Sequence, residues 1–325
     1  RLQLGPGDCL ILLVSKELID VADVHLSSFR RGHLQEVVRL YNALVETIPC
    51  NWPVTDSEFA DEVIGGGPLA HAGLPFDPDT LLVARVEGAA AGFVHFHRLD
   101  ECGLIRFLTF PAGRSDVGAA LLNAAVDRLS GTGCTRIEAW QMKNGYPFYT
   151  SMHGGCWEQS HVANLFLAGG FETFHREVVF HRSLDFGCEG TASADGWPIE
   201  KSAERFGHEV LHRYTIADGG VEAARVSWHR MSALSRHPAA RDHGYINQVA
   251  TAASHRRQGL GMTLMREMLI DMRQAGLREA TLHTMFDNTP AIGLYTRAAF
   301  RYVGTNIILR TSCAHRGTPH EEGRT

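Results

Sequence analysis

Val249-Ala250-Thr251-Ala252-Ala253-Ser254-His255-Arg256-Arg257-Gln258-Gly259-Leu260-Gly261 reads as a strand that turns through a glycine-bearing loop directly into a helix. The first turn of a helix offers backbone N–H groups with no intrahelical partner, together with the positive end of the helix dipole. Gly259 and Gly261 carry no side chain, so an anion can come close to the main chain there. Arg256 and Arg257 add positive charge. The combination is a cradle for a pyrophosphate. No Gly-Lys-Ser/Thr follows, which excludes a Walker A loop, and the spacing is Arg-x-x-Gly-x-Gly rather than the dinucleotide fingerprint. A tight strand-to-helix turn without a ligand can show the same six residues, so the surroundings must decide.

Working outward, Leu264, Met265, Met268, Leu269 and Met272 recur at helical spacing and predict a helix over Leu260–Ala275, stopped by Gly276. Strands are predicted at Glu209–Ile216 and Glu222–Met231 around Asp218-Gly219-Gly220, and at Tyr245–Thr251 and Glu279–Thr284. A short helix follows at Pro290–Ala298, and Phe300–Leu309 closes the unit. The preceding half repeats this order. A helix runs through Leu34, Val37, Val38, Tyr41, Leu44, Val45 and Ile48. Strands at Thr80–Val86 and Ala89–Arg98 flank Glu87-Gly88, and a third lies at Leu104–Phe110. A helix at Asp116–Ser130, a strand at Arg136–Trp140 and two short strands within Phe171–Arg182 complete it. Ala168-Gly169-Gly170-Phe171 mirrors Ala298-Ala299-Phe300. The pattern is that of a divergent tandem duplication, with the second half lacking the long first helix. The apolar run Leu10–Val14 is expected to lend the second half an extra strand. The Gly/Ser/Asp-rich stretch after Leu184 predicts a linker. The division is therefore 1–184, a linker at 185–200, and 201–325.

The chain has 325 residues, which fits two domains. Its apolar share of 44% is enough for large cores, and its formal charge of −5 leaves no basic excess for gripping nucleic acid. No run approaches the ~18 apolar residues of a membrane span. The cysteines number seven with no CxxC pair, so spacing offers no tetrahedral zinc site and no metal is expected. Scattered thiols fit a reducing, cytoplasmic setting.

The segment Arg256-Arg257-Gln258-Gly259-Leu260-Gly261 resembles the coenzyme A-binding motif of the GNAT superfamily of acyl-CoA-dependent N-acyltransferases, [RQ]-x-x-G-x-[GA]. About thirty residues on, Asn288-Thr289-Pro290-Ala291-Ile292-Gly293-Leu294-Tyr295, followed by Phe300, matches that family's N-x-x-A-x-x-L-Y-x-x-x-x-F. The resemblance covers roughly 205–311. It implies an α/β (α+β) fold of two tandem GNAT-like domains, each a mixed, mostly antiparallel twisted sheet flanked by helices. It further implies that main-chain groups of Val249, Ala250 and Thr251 pair with the pantetheine arm of acetyl-CoA or another acyl-CoA. The turn Arg256, Arg257, Gln258, Gly259, Leu260 and Gly261, with Met262, would hold the pyrophosphate, and Asn288 would reach the coenzyme. Tyr295 would protonate the leaving thiolate as a general acid.

The first half departs from this pattern. Val117 stands at the first glycine position, Asp116 would repel a phosphate, and Phe166 stands where Tyr295 stands, so that half is expected to keep the fold and lose productive coenzyme binding. Its aromatic, glycine-rich insertion at 144–157 reads equally as a substrate loop or as a packed interface loop. The base is open. His229 and Tyr245 are candidates as base or relay, with His243 nearby, and Tyr245–Thr251 contains no carboxylate. The expected activity is transfer of a short acyl group to a small-molecule amine by direct attack in a ternary complex. The alternatives are a non-catalytic coenzyme A-binding regulatory module and a protein acetyltransferase. The chain is expected to act as a monomer or homodimer, with neither nucleic acid nor membrane as partner.

Overall fold

The structure, a computed structural model, describes residues 23–65, 76–140, 145–149, 155–185 and 196–313. The run Leu10–Val14 lies outside the described residues, as does most of the 185–200 stretch. The first half contributes β1 (His25–Ser28), α1 (Leu34–Val45), α2 (Asp56–Phe59), β2 (Leu81–Val86), β3 (Ala89–Leu99) and β4 (Cys102–Thr109). It continues with α3 (Ser115–Ser130), β5 (Arg136–Ala139), β6 (Cys156–Trp157), α4 (His161–Ala168) and β7 (Glu172–Ser183). The second half holds β8 (Ile199–Phe206), β9 (Glu209–Asp218), β10 (Val221–Arg230), β11 (His243–Thr251), α5 (Leu260–Gln274), β12 (Glu279–Met285), α6 (Thr289–Arg297) and β13 (Arg301–Ser312).

The repeat shows in local chemistry. Glu87 and Gly88 take φ of 50° and 82°, and Gly219 and Gly220 take 57° and 84°, so both first hairpins close through turns with two left-handed residues. At the mirrored helix ends Gly170 (φ 82°) and Ala299 (φ 60°) make the same left-handed cap.

All the described strands join one sheet, in the order β1-β2-β3-β4-β5-β13-β7-β12-β11-β10-β9-β8, with β6 on β13. Among the described pairs only β4/β5 and β11/β12 are parallel. The sheet is continuous because the halves exchange closing strands. Phe300–Leu309 was expected to close its own unit. Instead β13 lies between β5 and β7, while β7 carries on to β12. The expected two short strands in Phe171–Arg182 are one long strand, which this bridging position requires. The cores follow the exchange. Ile307 and Leu309 belong to the apolar cluster of the first half, and Val178, Phe180 and Leu184 to that of the second. Register fixes this assignment, since a slip of one residue would turn each apolar side chain to the opposite face.

β8 was not foreseen. It begins inside the stretch read as linker, and six of its residues, Glu200 to Arg205, are exposed, so it carries no apolar alternation. Its main chain pairs with β9 throughout.

Gly304 on β13 is held by contact with the first half, because a Cβ there would lie 1.8 Å from the Trp157 ring. We expect Gly304→Ala to destabilise the protein by about 1–3 kcal/mol, the usual range for overpacking. Urea unfolding followed by tryptophan fluorescence and by far-UV circular dichroism should give coincident transitions, since one sheet spans both cores.

Candidate active site

β11 is the hinge of the site. It pairs with β12 only over His243–Tyr245, opposite Glu279–Thr281, and thereafter the two strands diverge. On its other edge Ser227 faces Gln248 while Trp228 faces Ile246, which leaves Asn247 as a bulge. A bulge bends its strand and increases the local twist. The β12-facing main-chain edge after Tyr245 is thus left without a strand partner. Half-buried Val249 of β11, Met262 of α5 and Ala291, Ile292 and Leu294 of α6, the elements around this opening, pack against the core of the second half.

At the end of β11 a short turn at Ala253–His255 leads into α5. Arg257 (φ 65°) and Gly259 (φ 86°) both take the left-handed conformation. Met262 and Thr263 donate to the Gly259 carbonyl at 2.9 and 3.0 Å. The N–H groups of residues 257–261 have no partner among the described residues. They converge, with exposed Arg256 and Arg257, at the positive end of a helix fifteen residues long. A Cβ on Gly261 would meet only Leu294 Cδ2 at 3.4 Å and Thr251 Oγ1 at 3.6 Å, which are ordinary contacts. Packing tolerates a side chain there, and the space it would fill is the space above the first helical turn. Gly244, by contrast, is crowded, since a Cβ there would lie 2.1 Å from Met272 Cε and 2.6 Å from Leu277 Cδ2 and would push those side chains aside.

α6 closes the wedge. Asn288 caps it, accepting from Ala291 N–H at 3.3 Å and donating to Thr284 Oγ1 at 3.1 Å. That cap fixes Tyr295, whose ring lies 5.9 Å from Phe180 of the exchanged strand. Burial raises the Tyr295 hydroxyl to about 12, so it holds its proton across the physiological range. The hydroxyl makes no hydrogen bond among the described residues.

The structure brings Tyr295 and Tyr245 together: burial, then the Glu177 carboxylate, then Tyr295 raise the Tyr245 hydroxyl well above its ordinary value. His229 is fully buried, stacked on Phe206 at 4.6 Å, with Nδ1 2.8 Å from the Arg230 carbonyl oxygen. Its ring reaches Tyr245 at 5.5 Å but has no exposed surface. Sequence reasoning missed Glu177. This buried carboxylate on β7 has Oε1 3.1 Å from His175 Nε2 and Oε2 3.7 Å from His283 Nδ1, and the His283 ring lies 5.5 Å from Tyr245. No local signal marked it, because it belongs to the first half and strand exchange carries it across.

The corresponding places in the first half are filled. Beyond Ile105, where the pairing of β4 with β5 ends, Phe107 is stacked by Tyr146 at 5.1 Å and flanked by Tyr149 at 5.4 Å and Trp140 at 6.2 Å. The described part of the 144–157 insertion is therefore core: Tyr146, Phe148 and Tyr149 are all buried. At the start of α3, Arg114 donates to the Asp116 carboxylate at 2.9 and 2.7 Å. Those bonds, and next the amides of Val117 and Asp116 itself, hold its pKa below the usual value. The helix start is occupied by the chain's own anion. Phe166 is packed between Trp140 and Phe171.

Comparison with known proteins agrees with the fold. Residues 192–300 match the model of the Acetyltransferase (GNAT) family. A tandem GNAT protein from the clavulanic acid biosynthesis pathway superposes with a TM-score of 0.65 at 13% identity, over 91% of this chain and 100% of that one. A GCN5-related N-acetyltransferase from Sphaerobacter thermophilus gives 0.60 at 14% identity, over 89% and 96% of the two chains. A glucosamine N-acetyltransferase region of a fungal multi-domain GH3 β-N-acetylglucosaminidase gives 0.60 at 14%, over 89% of this chain and 38% of that one. No curated protein sequence matches the chain. The protein therefore has the tandem GNAT fold, and the GNAT family model matches its second half.

Burial of His229 makes stability depend on pH. Its pKa is pushed from 6.5 down to about 4, chiefly by desolvation, so it stays neutral in the folded state while the unfolded chain takes up a proton below pH 6.5. The stability linked to it is complete above pH 6.5 and lost as pH falls toward 4. We expect His229→Phe to reduce the drop in unfolding free energy between pH 7.5 and pH 4.5 by about 2 kcal/mol, read from urea midpoints at the two pH values.

Proposed function

We propose that the protein transfers an acetyl or other short acyl group from acyl-CoA to an amine of a small molecule, at the wedge between β11 and α6. The observation that carries this reading is the β12-facing edge of β11, left without a strand partner after Tyr245, together with the unpaired amides at the start of α5, in a wedge closed by the helix that bears Tyr295. Acyl-CoA, when bound, supplies the activated thioester. Val249, Ala250 and Thr251 would hold its pantetheine arm by main-chain pairing, and the amides of residues 257–261, with Met262, would hold the pyrophosphate. The free space above Gly261 fits that role. Asn288 acts by capping α6 and so setting Tyr295.

Attack is direct, and no cysteine or serine serves as nucleophile. Amides of the Val249–Thr251 edge polarise the acyl carbonyl. As the nitrogen–carbon bond forms and the carbon–sulfur bond breaks, Tyr295 gives its proton to the departing sulfur. Glu177, paired with His283, takes the proton that the amine loses. It faces the same side of the sheet as Tyr245, because residues two apart on a strand share a face and Thr281 pairs with both Tyr245 and His181. A carboxylate there also attracts an ammonium group. Trp52 of the first half packs over that face, against His243 at 5.3 Å, and this cover favours a small acceptor over a protein segment.

We expect Tyr295→Phe and Glu177→Gln each to lower turnover about 100-fold or more, the scale of one acid or base, with coenzyme affinity within about twofold. Release of free thiol from acetyl-CoA with a panel of amines, together with calorimetric titration of coenzyme A, checks both. Unchanged turnover in Tyr295→Phe would remove Tyr295 from the mechanism, and coenzyme binding without thiol release would favour a regulatory module. Gly261→Ala, which the last position of the motif admits, should keep stability within about 1 kcal/mol of wild type, since helix propensity compensates, and coenzyme affinity within a few-fold, whereas Gly261→Phe, whose ring would fill the space above the first turn, should lose most coenzyme affinity in the same titration.

A further inference from the structure

We propose that Cys50, His181 and His243, joined by Glu279, form a site for a borderline divalent cation, zinc by preference, that fastens the first half of the chain to the second. The inference is independent of the acyl-transfer reading and shares with it the Trp52–His243 contact, but none of the residues given a role in the chemistry. Spacing along the chain gave no hint of it, because the four donors come from a turn after α1, from the exchanged strand β7 and from the starts of β11 and β12. Folding nevertheless brings one ligand atom each of Cys50, His181 and His243 within 4.8 Å of one another. Glu279 lies on the same face, with Oε2 2.8 Å from His181 Nε2. That oxygen is buried, and its contact with His181 is not aligned as a hydrogen bond.

One sulfur, two imidazoles and one carboxylate are the donor types of a four-coordinate zinc site, whereas calcium and magnesium select oxygen ligands. Metal–sulfur and metal–nitrogen bonds of about 2.3 and 2.0 Å set neighbouring donors roughly 3.5 Å apart. The cluster must therefore draw in by about an ångström, a movement within reach of side-chain rotation. The Thr281 hydroxyl spans the gap, 2.5 Å from His243 Nε2 and donating to Cys50 Sγ at 3.3 Å. It marks the polar centre of the cluster and supplies the outer-shell hydrogen bond that metal ligands need. Cys50 itself sits at φ 58°. Such a backbone is uncommon for a residue other than glycine, asparagine or aspartate, and it is kept here where it sets a thiol beside two imidazoles. The His181 and Glu279 side chains are 31% and 36% exposed, which gives a cation a path from solvent, and Trp52 covers the far side of His243. A bound cation would pin the turn after α1 over the sheet face of the second half.

The full-length protein, stripped with a chelator and dialysed free of metal, should bind one equivalent of Co2+. A thiolate-to-cobalt charge-transfer band should appear in the near ultraviolet, be displaced by Zn2+ and persist in excess Mg2+. Zn2+ should raise the melting temperature of the stripped protein. Cys50→Ser should abolish the band, and Cys50→Ser and His181→Asn should each weaken zinc binding by at least about tenfold. Absence of the band and of zinc-dependent stabilisation in the wild-type protein overturns the proposal even if a variant fails to fold. Zinc binding by folded Cys50→Ser at wild-type affinity overturns it equally.

Discussion

The parting of β11 from β12 after Tyr245 is the constraint on which the site depends. A sheet satisfies its main chain by pairing, and unpaired strand edges are ordinarily covered or blunted. Here the bulge at Asn247 turns β11 away while its opposite edge remains held by β10. The free edge, the start of α5 and the capped helix α6 then surround a wedge whose walls are apolar and whose rim offers amide hydrogens. Each part has a local cause: the left-handed Gly259 starts α5 at the required angle, and the Asn288 cap fixes the helix bearing Tyr295.

Exchange of closing strands explains why two halves are kept when one has its cleft filled. β7 brings Phe180 to the core beneath Tyr295 and Glu177 to the opposite face, so the second half is incomplete without the first. The first half receives Ile307 and Leu309 in return. Its own wedge holds Phe107, Tyr146 and Tyr149, and Asp116 occupies its helix start. The same backbone plan serves as scaffold in one half and as candidate catalytic site in the other, and the difference lies in which side chains fill two places.

Much of this was legible in the sequence where signals are local. The period-3.6 faces of α1, α3 and α5, the paired hairpin turns and the Arg-x-x-Gly-x-Gly turn were all readable, because each depends on neighbours a few residues away. Val117 and Phe166 set the first half apart from the motif of the second, a difference readable residue by residue. What could not be read depends on distant pairing. β8 has no apolar face to announce it. The destination of β13 is set by which strand edge is open in the other half. Glu177, His283 and the Cys50–His181–His243 cluster are assembled by the same exchange, so neither spacing nor composition could group them. The 144–157 insertion was ambiguous because aromatic residues suit a binding loop and a core equally, and only burial of its described part distinguishes the two.

In the proposed division of labour, one half grips coenzyme and the other does not. Calorimetric titration of the intact chain with coenzyme A measures this directly. One equivalent bound per chain is the predicted result. Two equivalents would show that the aromatic filling of the first half is no barrier, and none would show that the open edge of β11 serves some other purpose.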